Sequence, residues 1–445
     1  MCQVKVFIPV LTILMACMPM TARAGQPVRL TLQQAIDRVA GEGRDVRIAD
    51  KAGDVAQDEA SMARAPLLPQ VTASAGQTYY AYQPAAVFGG QKVSTSERSF
   101  PSYGVDVQQV LFDFGATRAK HEAAKILANG ALDATARAKN QSVLNVILAY
   151  FDVLEAGRMT VVAQRELTSL ARHAKDVTVL FREGVATKND LLAASVRFNA
   201  ARQGLIASRS QEKIAAARIK ELLSIKEDGM VVLEDTAVPV RFDITMEQAL
   251  ANAARCRPEL LGMEKALRAA VFNEQASHSS DKPVVFADGG YSYADNRYQA
   301  RDDNWHAMLG VKLSVFNGGL TKAENARAGH DKERLLEEQK KLEEAVRFEI
   351  QKDHWDMNNA RQRVALGRTG ASQADENARV VEARYIEGAG TASDVLDALA
   401  MRTSAETDLW RSTYELKRSY ARLLYAMGAD VAQIYLKEGS YAFDQ

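Results

Sequence analysis

Residues 305–316, WHAMLGVKLSVF, alternate: Trp305, Ala307, Leu309, Val311, Leu313 and Val315 fall on one face, His306, Gly310, Lys312 and Ser314 on the other. YGVDVQQV at 103–110 repeats the scheme, with Tyr103, Val105 and Val107 opposite Gly104, Asp106 and Gln108. The pattern predicts strands with one apolar and one polar face, over about the 9 to 11 residues that a tilted strand needs to cross a bilayer. A half-buried soluble sheet gives the same alternation. Elsewhere the period changes. Val143, Ile147, Tyr150 and Leu154 are spaced 4, 3 and 4, which suits helices packed in coiled-coil fashion. All ten prolines lie at or before Pro283 and none falls between Pro101 and Pro239. An interior proline costs about 3 kcal/mol, so their absence permits long unbroken helices. Helices are predicted over 116–183 and 320–387, each about 100 Å long at 1.5 Å per residue. Returning helices such as 188–223, near ~55 Å, are about half that length, and a helix at about 45–65 would add ~30 Å. Stacked end to end, the two shorter helices nearly match the long one.

The chain is also a duplication. At an offset of 214, LTLQQAI (30–36) matches ITMEQAL (244–250), and Pro69, Val71, Ala73, Gly76 and Tyr79 meet Pro283, Val285, Ala287, Gly290 and Tyr293. At an offset of 204, LFDFGATRA (111–119) matches VFNGGLTKA (315–323), and REGVATKNDLLAA (182–194) matches IEGAGTASDVLDA (386–398). The ten-residue slip falls in QPAAVFGGQKVSTSER (83–98), which marks a surface loop between two strands. Each half reads helix, strand, loop, strand, long helix, interruption, helix. The boundaries are 25–223 for the first repeat, with strands about 70–83 and 99–114 and a hairpin tip about 182–192. An inter-repeat segment, 224–243, follows. The second repeat, 244–430, has strands about 283–297 and 304–317 and a tip about 386–396, and a tail occupies 431–445.

Composition narrows the setting. The N-terminus has one lysine, an apolar run from Val6 to Met20, then Ala22-Arg23-Ala24, the pattern of an exported protein with a signal peptide at 1–24. Cys17 in a lipobox is the alternative. No later stretch has the roughly 18 to 20 continuous apolar residues of a spanning helix, so membrane insertion would have to use strands. Lys+Arg and Asp+Glu are 56 each, which leaves no basic excess for nucleic acid. Without the signal segment Cys256 is the single cysteine, and no internal disulfide can form. Four strands per chain cannot close a barrel, since the smallest have about eight, so strands in a membrane would require oligomerisation. Tyr79, Tyr80, Tyr82, Tyr291, Tyr293 and Trp305 crowd toward the loop ends, where an aromatic girdle would lie.

Candidate chemistry is sparse. His121, His173, His278, His306, His330 and His354 form no metal-ligand pattern and read as surface residues; no nucleophile, phosphate-loop or dinucleotide motif occurs, so neither an enzyme nor a cofactor is expected. The two interruptions read locally as a helix stop and a helix start. Gly184 and Gly388 suit a left-handed C-terminus, and Thr187 with Asp190, like Thr391 with Asp394, suits a capping box. Turning the chain is sufficient reason for those residues. Asp397 does not recur; its counterpart is Ala193.

The signal segment, the duplicated halves, LLPQV, LFDFG, VFNGG and the paired Gly-x-x-Thr-x-x-Asp interruptions together resemble the TolC-type outer-membrane factor family over about residues 28–430. The resemblance implies a mainly α fold with a membrane β-barrel portion. Three chains would form a twelve-stranded barrel in the outer-membrane lipid, continuing into a twelve-helix periplasmic α-barrel. It implies a passive exit duct for efflux or type I secretion, docked by a periplasmic adaptor and an inner-membrane transporter of RND or ABC type. The tips, with Gly184, Thr187, Gly388 and Thr391, would dock the adaptor. Asp394 and Asp397 would form the aperture constriction, and Tyr385 with Asp190 its lock. One departure is that Gly390 stands where better-known members carry a locking arginine. The alternative from another class is a soluble periplasmic coiled-coil adaptor.

Overall fold

The computed structural model describes residues 28–225, 231–235 and 244–436. The expected signal segment with Cys17, residues 226–230 and 236–243 of the inter-repeat segment, and the tail beyond 436 lie outside them.

The described residues open with β1 (Val28–Leu30), α1 (Leu32–Glu42) and α2 (Arg44–Arg64). Next come β2 (Gln70–Tyr79), β3 (Ala85–Phe88), β4 (Gln91–Ser94) and β5 (Ser99–Phe112). The helices α3 (Ala116–Arg182) and α4 (Lys188–Leu222) complete the first repeat, and β6 (Val231–Leu233) lies in the inter-repeat segment. The second repeat has α5 (Met246–Cys256), α6 (Pro258–Ser279), β7 (Val284–Ala294), β8 (Asp303–Lys312), α7 (Leu320–Ile386) and α8 (Ala392–Ala426), followed by α9 (Val431–Leu436). Both long helices have 67 residues and both returning helices 35, so the duplication is exact in length there. No proline interrupts any of the four, and α2 and α4 both pack along α3 while α6 and α8 both pack along α7.

The four long strands form one antiparallel sheet in the order β2-β5-β7-β8. Register places Ala73, Val105, Tyr291 and Trp305 in one row across it, and Thr72, Asp106, Gly290 and His306 in the next. The two faces therefore keep the alternation of the sequence through all four strands. The apolar face has nothing over it: Trp305 is 75% exposed, Leu309 73% and Val71 66%. The strands are shorter than the alternation suggests. β8 stops at Lys312 because its partner run begins at Val284, after Pro283, which has no N–H to continue the ladder. The loop at 83–98 folds back as the β3–β4 hairpin and is fastened to the loop after β7. There the buried Asn296 accepts from the Glu97 N–H and donates to Ser96 Oγ.

The main core lies at mid-height. Leu32 and Ile36 of α1, Val143, Ile147, Tyr150 and Phe151 of α3, Ile350 and Met357 of α7, and Tyr414, Leu423 and Leu424 of α8 interlock there. A short parallel pairing of β1 with β6 belongs to this belt, and Tyr150 Oη donates toward the carbonyls of Leu30 (3.2 Å) and Glu234 (2.5 Å). Three residues per strand are too few to show alternation, so nothing in the sequence predicts this pair. Beside it Arg257, at the junction of α5 and α6, is buried and bonds Glu259, Glu349 and the Ala426 carbonyl.

Candidate functional site

Both long helices end in the same construction, at the end of the molecule opposite the sheet. Gly184 (φ 79°) and Gly388 (φ 76°) take the left-handed conformation that only glycine enters without strain. Beyond them the Val185 N–H donates to the Leu180 carbonyl at 2.9 Å and the Ala389 N–H to the Arg384 carbonyl at 2.8 Å, closing the helix ends. Thr187 and Thr391 then begin α4 and α8 as capping boxes. The Asp190 N–H donates to Thr187 Oγ1 at 3.2 Å while Asp190 Oδ2 accepts from the Thr187 N–H at 3.0 Å and its hydroxyl at 2.6 Å. The Asp394 N–H donates to Thr391 Oγ1 at 3.1 Å and Asp394 Oδ2 accepts from the Thr391 N–H at 3.0 Å. These hydrogen bonds hold both carboxyl groups below their ordinary range, and at Asp394 the nearby Arg384 charge acts in the same direction.

The faces of α8 divide the tip. Val395, Leu396 and Leu399 are buried against Leu170 and Ala201 of the other hairpin, whereas Asp394 and Asp397 are exposed. The Asp397 side chain makes no hydrogen bond or ion pair with any described residue. Tyr385 packs against both apolar clusters of the tip, the one around Leu170 and Val395 and the one around Val177, Ala194 and Ala392. Its hydroxyl is buried with no partner among the described residues, and burial together with the charges of Asp190 and Asp176 pushes its pKa up. Asp190 is thus within electrostatic reach of Tyr385 but spends its hydrogen bonds on Thr187. Gly390 lies close under the Tyr385 backbone: a Cβ there would stand 3.3 Å from the Tyr385 nitrogen, which leaves little room for a side chain.

Among the described residues no group of three or more His, Cys, Asp or Glu side chains could hold a metal ion, and no helix is long and apolar enough to cross a membrane. Residues 35–224 and 247–429 match the family model for outer membrane efflux proteins. The chain belongs to the outer membrane efflux protein family. The outer membrane efflux protein BepC of Brucella suis biovar 1 is 24% identical over 406 residues, 88% of this chain and 86% of that protein. The outer membrane protein TolC of Escherichia coli K12 is 22% identical over 395 residues, 84% of this chain and 77% of its own. Among solved structures, the outer-membrane channel OprN superimposes with a TM-score of 0.79 at 19% identity, covering 90% of both chains. The Campylobacter jejuni CmeC channel gives 0.80 at 14% identity, covering 92% of this chain and 87% of its own.

As an outer membrane efflux protein the chain is a channel component and not an enzyme, and the soluble-adaptor alternative is not favoured. All the residues singled out in the sequence for the tip, Gly184, Thr187, Asp190, Tyr385, Gly388, Thr391, Asp394 and Asp397, lie in or beside the two turns. Two residues there were not foreseen. Arg384 donates to the Ala389 carbonyl at 3.2 Å and places a cation beside Asp394. His173, read as a surface histidine, is 5% exposed and packs on Tyr385 with ring centroids 5.4 Å apart. Its place in α3 fits the apolar spacing of Leu170 and Val177, three residues before and four after, which was the available signal.

Proposed function

We propose that three copies of this chain form a passive exit duct through the outer membrane, and that the observation carrying this reading is the open four-stranded sheet. Its apolar face is bare and both its edges, β2 and β8, are unpaired among the described residues. In lipid each unpaired backbone group costs several kcal/mol, so the edges must close on other copies. Pairing β8 of one copy with β2 of the next gives a twelve-stranded barrel with Val71, Val105, Tyr291, Trp305 and Leu309 toward lipid and Asp106, Gly290 and His306 toward the lumen. The α3, α4, α7 and α8 helices of three copies then continue it as a twelve-helix tunnel reaching into the periplasm. The hairpin tips face a periplasmic adaptor and an inner-membrane transporter, of RND or ABC type, in an efflux or type I secretion assembly.

At the tips Asp394 and Asp397, exposed one turn apart on α8, would place six carboxylates around the axis as a cation-attracting constriction. Tyr385, wedged between the hairpins near Asp190, would hold the resting aperture, and Arg384 supplies the local cation that Gly390 does not. Planar-bilayer recording on the purified, reconstituted trimer tests the assignment. Replacing Asp394 and Asp397 by Ala should weaken block by divalent cations, and unchanged block would refute it. Recovery of the native chain as a soluble monomer would refute the duct itself.

A further inference from the structure

His173 is a buried ionisable group that the helical packing of the tip does not by itself require. It lies on α3, three residues after the buried Leu170 and four before the buried Val177, and its ring is tilted by 57° against Tyr385 of α7. Its Nε2 has no hydrogen-bond partner among the described residues, and neither has the Tyr385 hydroxyl. Two polar atoms of two different hairpins are therefore shut away, unpaired, in the contact that joins them. Burying such atoms unpaired is unfavourable, and the larger cost would come from a full charge.

We propose that His173 is a positioning residue of the aperture: neutral, it fills the space between the hairpins and fixes Tyr385; protonated, it is expelled from that space and loosens the tip. The proposal rests on the reading of the tips as the duct's aperture. The groups facing His173 are Asp176 on its own helix, Asp190 on α4, Tyr385 on α7 and the Ala392 carbonyl at the start of α8. The two carboxylates and the carbonyl favour a charged ring, but burial outweighs them and pushes the imidazole pKa below its ordinary 6.5. The sign follows from linkage. Above that ordinary value the ring is neutral whether the hairpins are packed or apart, and the packing keeps its full stability. As pH falls below it, the separated state takes up a proton that the packed state resists, and the packed state loses ground down to its own lower pKa. Each bound proton then shifts the balance toward the open tip by up to about tenfold per pH unit within that window. Asp190 moderates the effect. A protonated ring attracts its carboxylate, which is the group that caps α4 through Thr187.

The test is single-channel conductance of the reconstituted trimer between neutral and mildly acidic pH, with trimer content checked by size. Wild-type conductance should rise as pH falls below the ordinary imidazole value. His173→Gln, which fills similar volume and cannot take up the proton there, should keep the neutral-pH conductance throughout. His173→Arg should be open at all pH values, and if it fails to assemble, the Gln variant alone decides. A wild-type conductance that is flat with pH, or a rise that persists in His173→Gln, would overturn the role of His173 and leave the duct intact. Absence of any channel from an assembled wild-type trimer would instead overturn the duct reading.

Discussion

Arg257 holds the junction of α5 and α6 against the far end of α8, and removing it should loosen the middle of the molecule. The side chain is 6% exposed and makes three bonds: Nε to Glu259 at 3.3 Å, Nη2 to Glu349 at 2.5 Å and Nη1 to the Ala426 carbonyl at 3.2 Å. Arg257→Met keeps most of the volume and removes the charge. Breaking a buried ion pair from one side costs about 3–5 kcal/mol, because the remaining charge is stranded. Two features place this case at the low end. Glu349 is 38% exposed and can be hydrated, and Glu259 keeps Arg137 Nε at 3.1 Å. The expected loss is about 3 kcal/mol, or on the order of a hundredfold faster amide hydrogen exchange where the exchange proceeds through opening of this junction. Hydrogen-exchange mass spectrometry of the solubilised protein, read at 253–262 and 420–428, measures it locally without needing reversible unfolding. Adding Glu259→Gln should recover part of the loss by removing a buried carboxylate that has lost one of its two cationic partners. Unchanged protection in Arg257→Met, or a double variant no better than the single one, would refute the argument from charge burial.

Two further substitutions probe the same belt. Gly428→Ala should destabilise strongly, since φ is 73° there and a Cβ would meet the Arg257 nitrogen and the Cys256 carbonyl carbon at 2.8 Å, both backbone atoms that cannot swing aside; a melting temperature equal to the wild type would contradict this. Tyr150→Phe should cost about 1 kcal/mol by removing the hydroxyl that reaches the Leu30 and Glu234 carbonyls. It should also speed backbone amide exchange at Val28–Leu30 and Val231–Leu233, and an unchanged rate would show that the β1–β6 pairing is held by other contacts.

Periodicity and repetition carried most of the fold. The 3-4 spacing around Val143 and Tyr150, the absence of proline over the long helices and the two Gly-x-x-Thr-x-x-Asp stretches are local signals, because helix continuation, termination and capping depend on residues within a turn or two. They placed the helix ends to within a residue: 116–183 against Ala116–Arg182, and 320–387 against Leu320–Ile386. Strand alternation was equally local, although where each strand stops depended on its partner, as Lys312 shows opposite Val284.

What the sequence by itself determined was the duplicated plan, the turns at 184 and 388, and the division of the tip carboxylates into two that cap helices and one, Asp397, that does not. Tertiary structure alone decided which residues of separate helices meet. Arg257 reaches Ala426, 169 positions away; Arg384 stands beside Asp394; and His173 of one hairpin is buried on Tyr385 of the other. A pattern along one helix shows which face is apolar but not what covers it. Burial, and with it the chemistry of an isolated histidine, is therefore fixed only when distant helices pack.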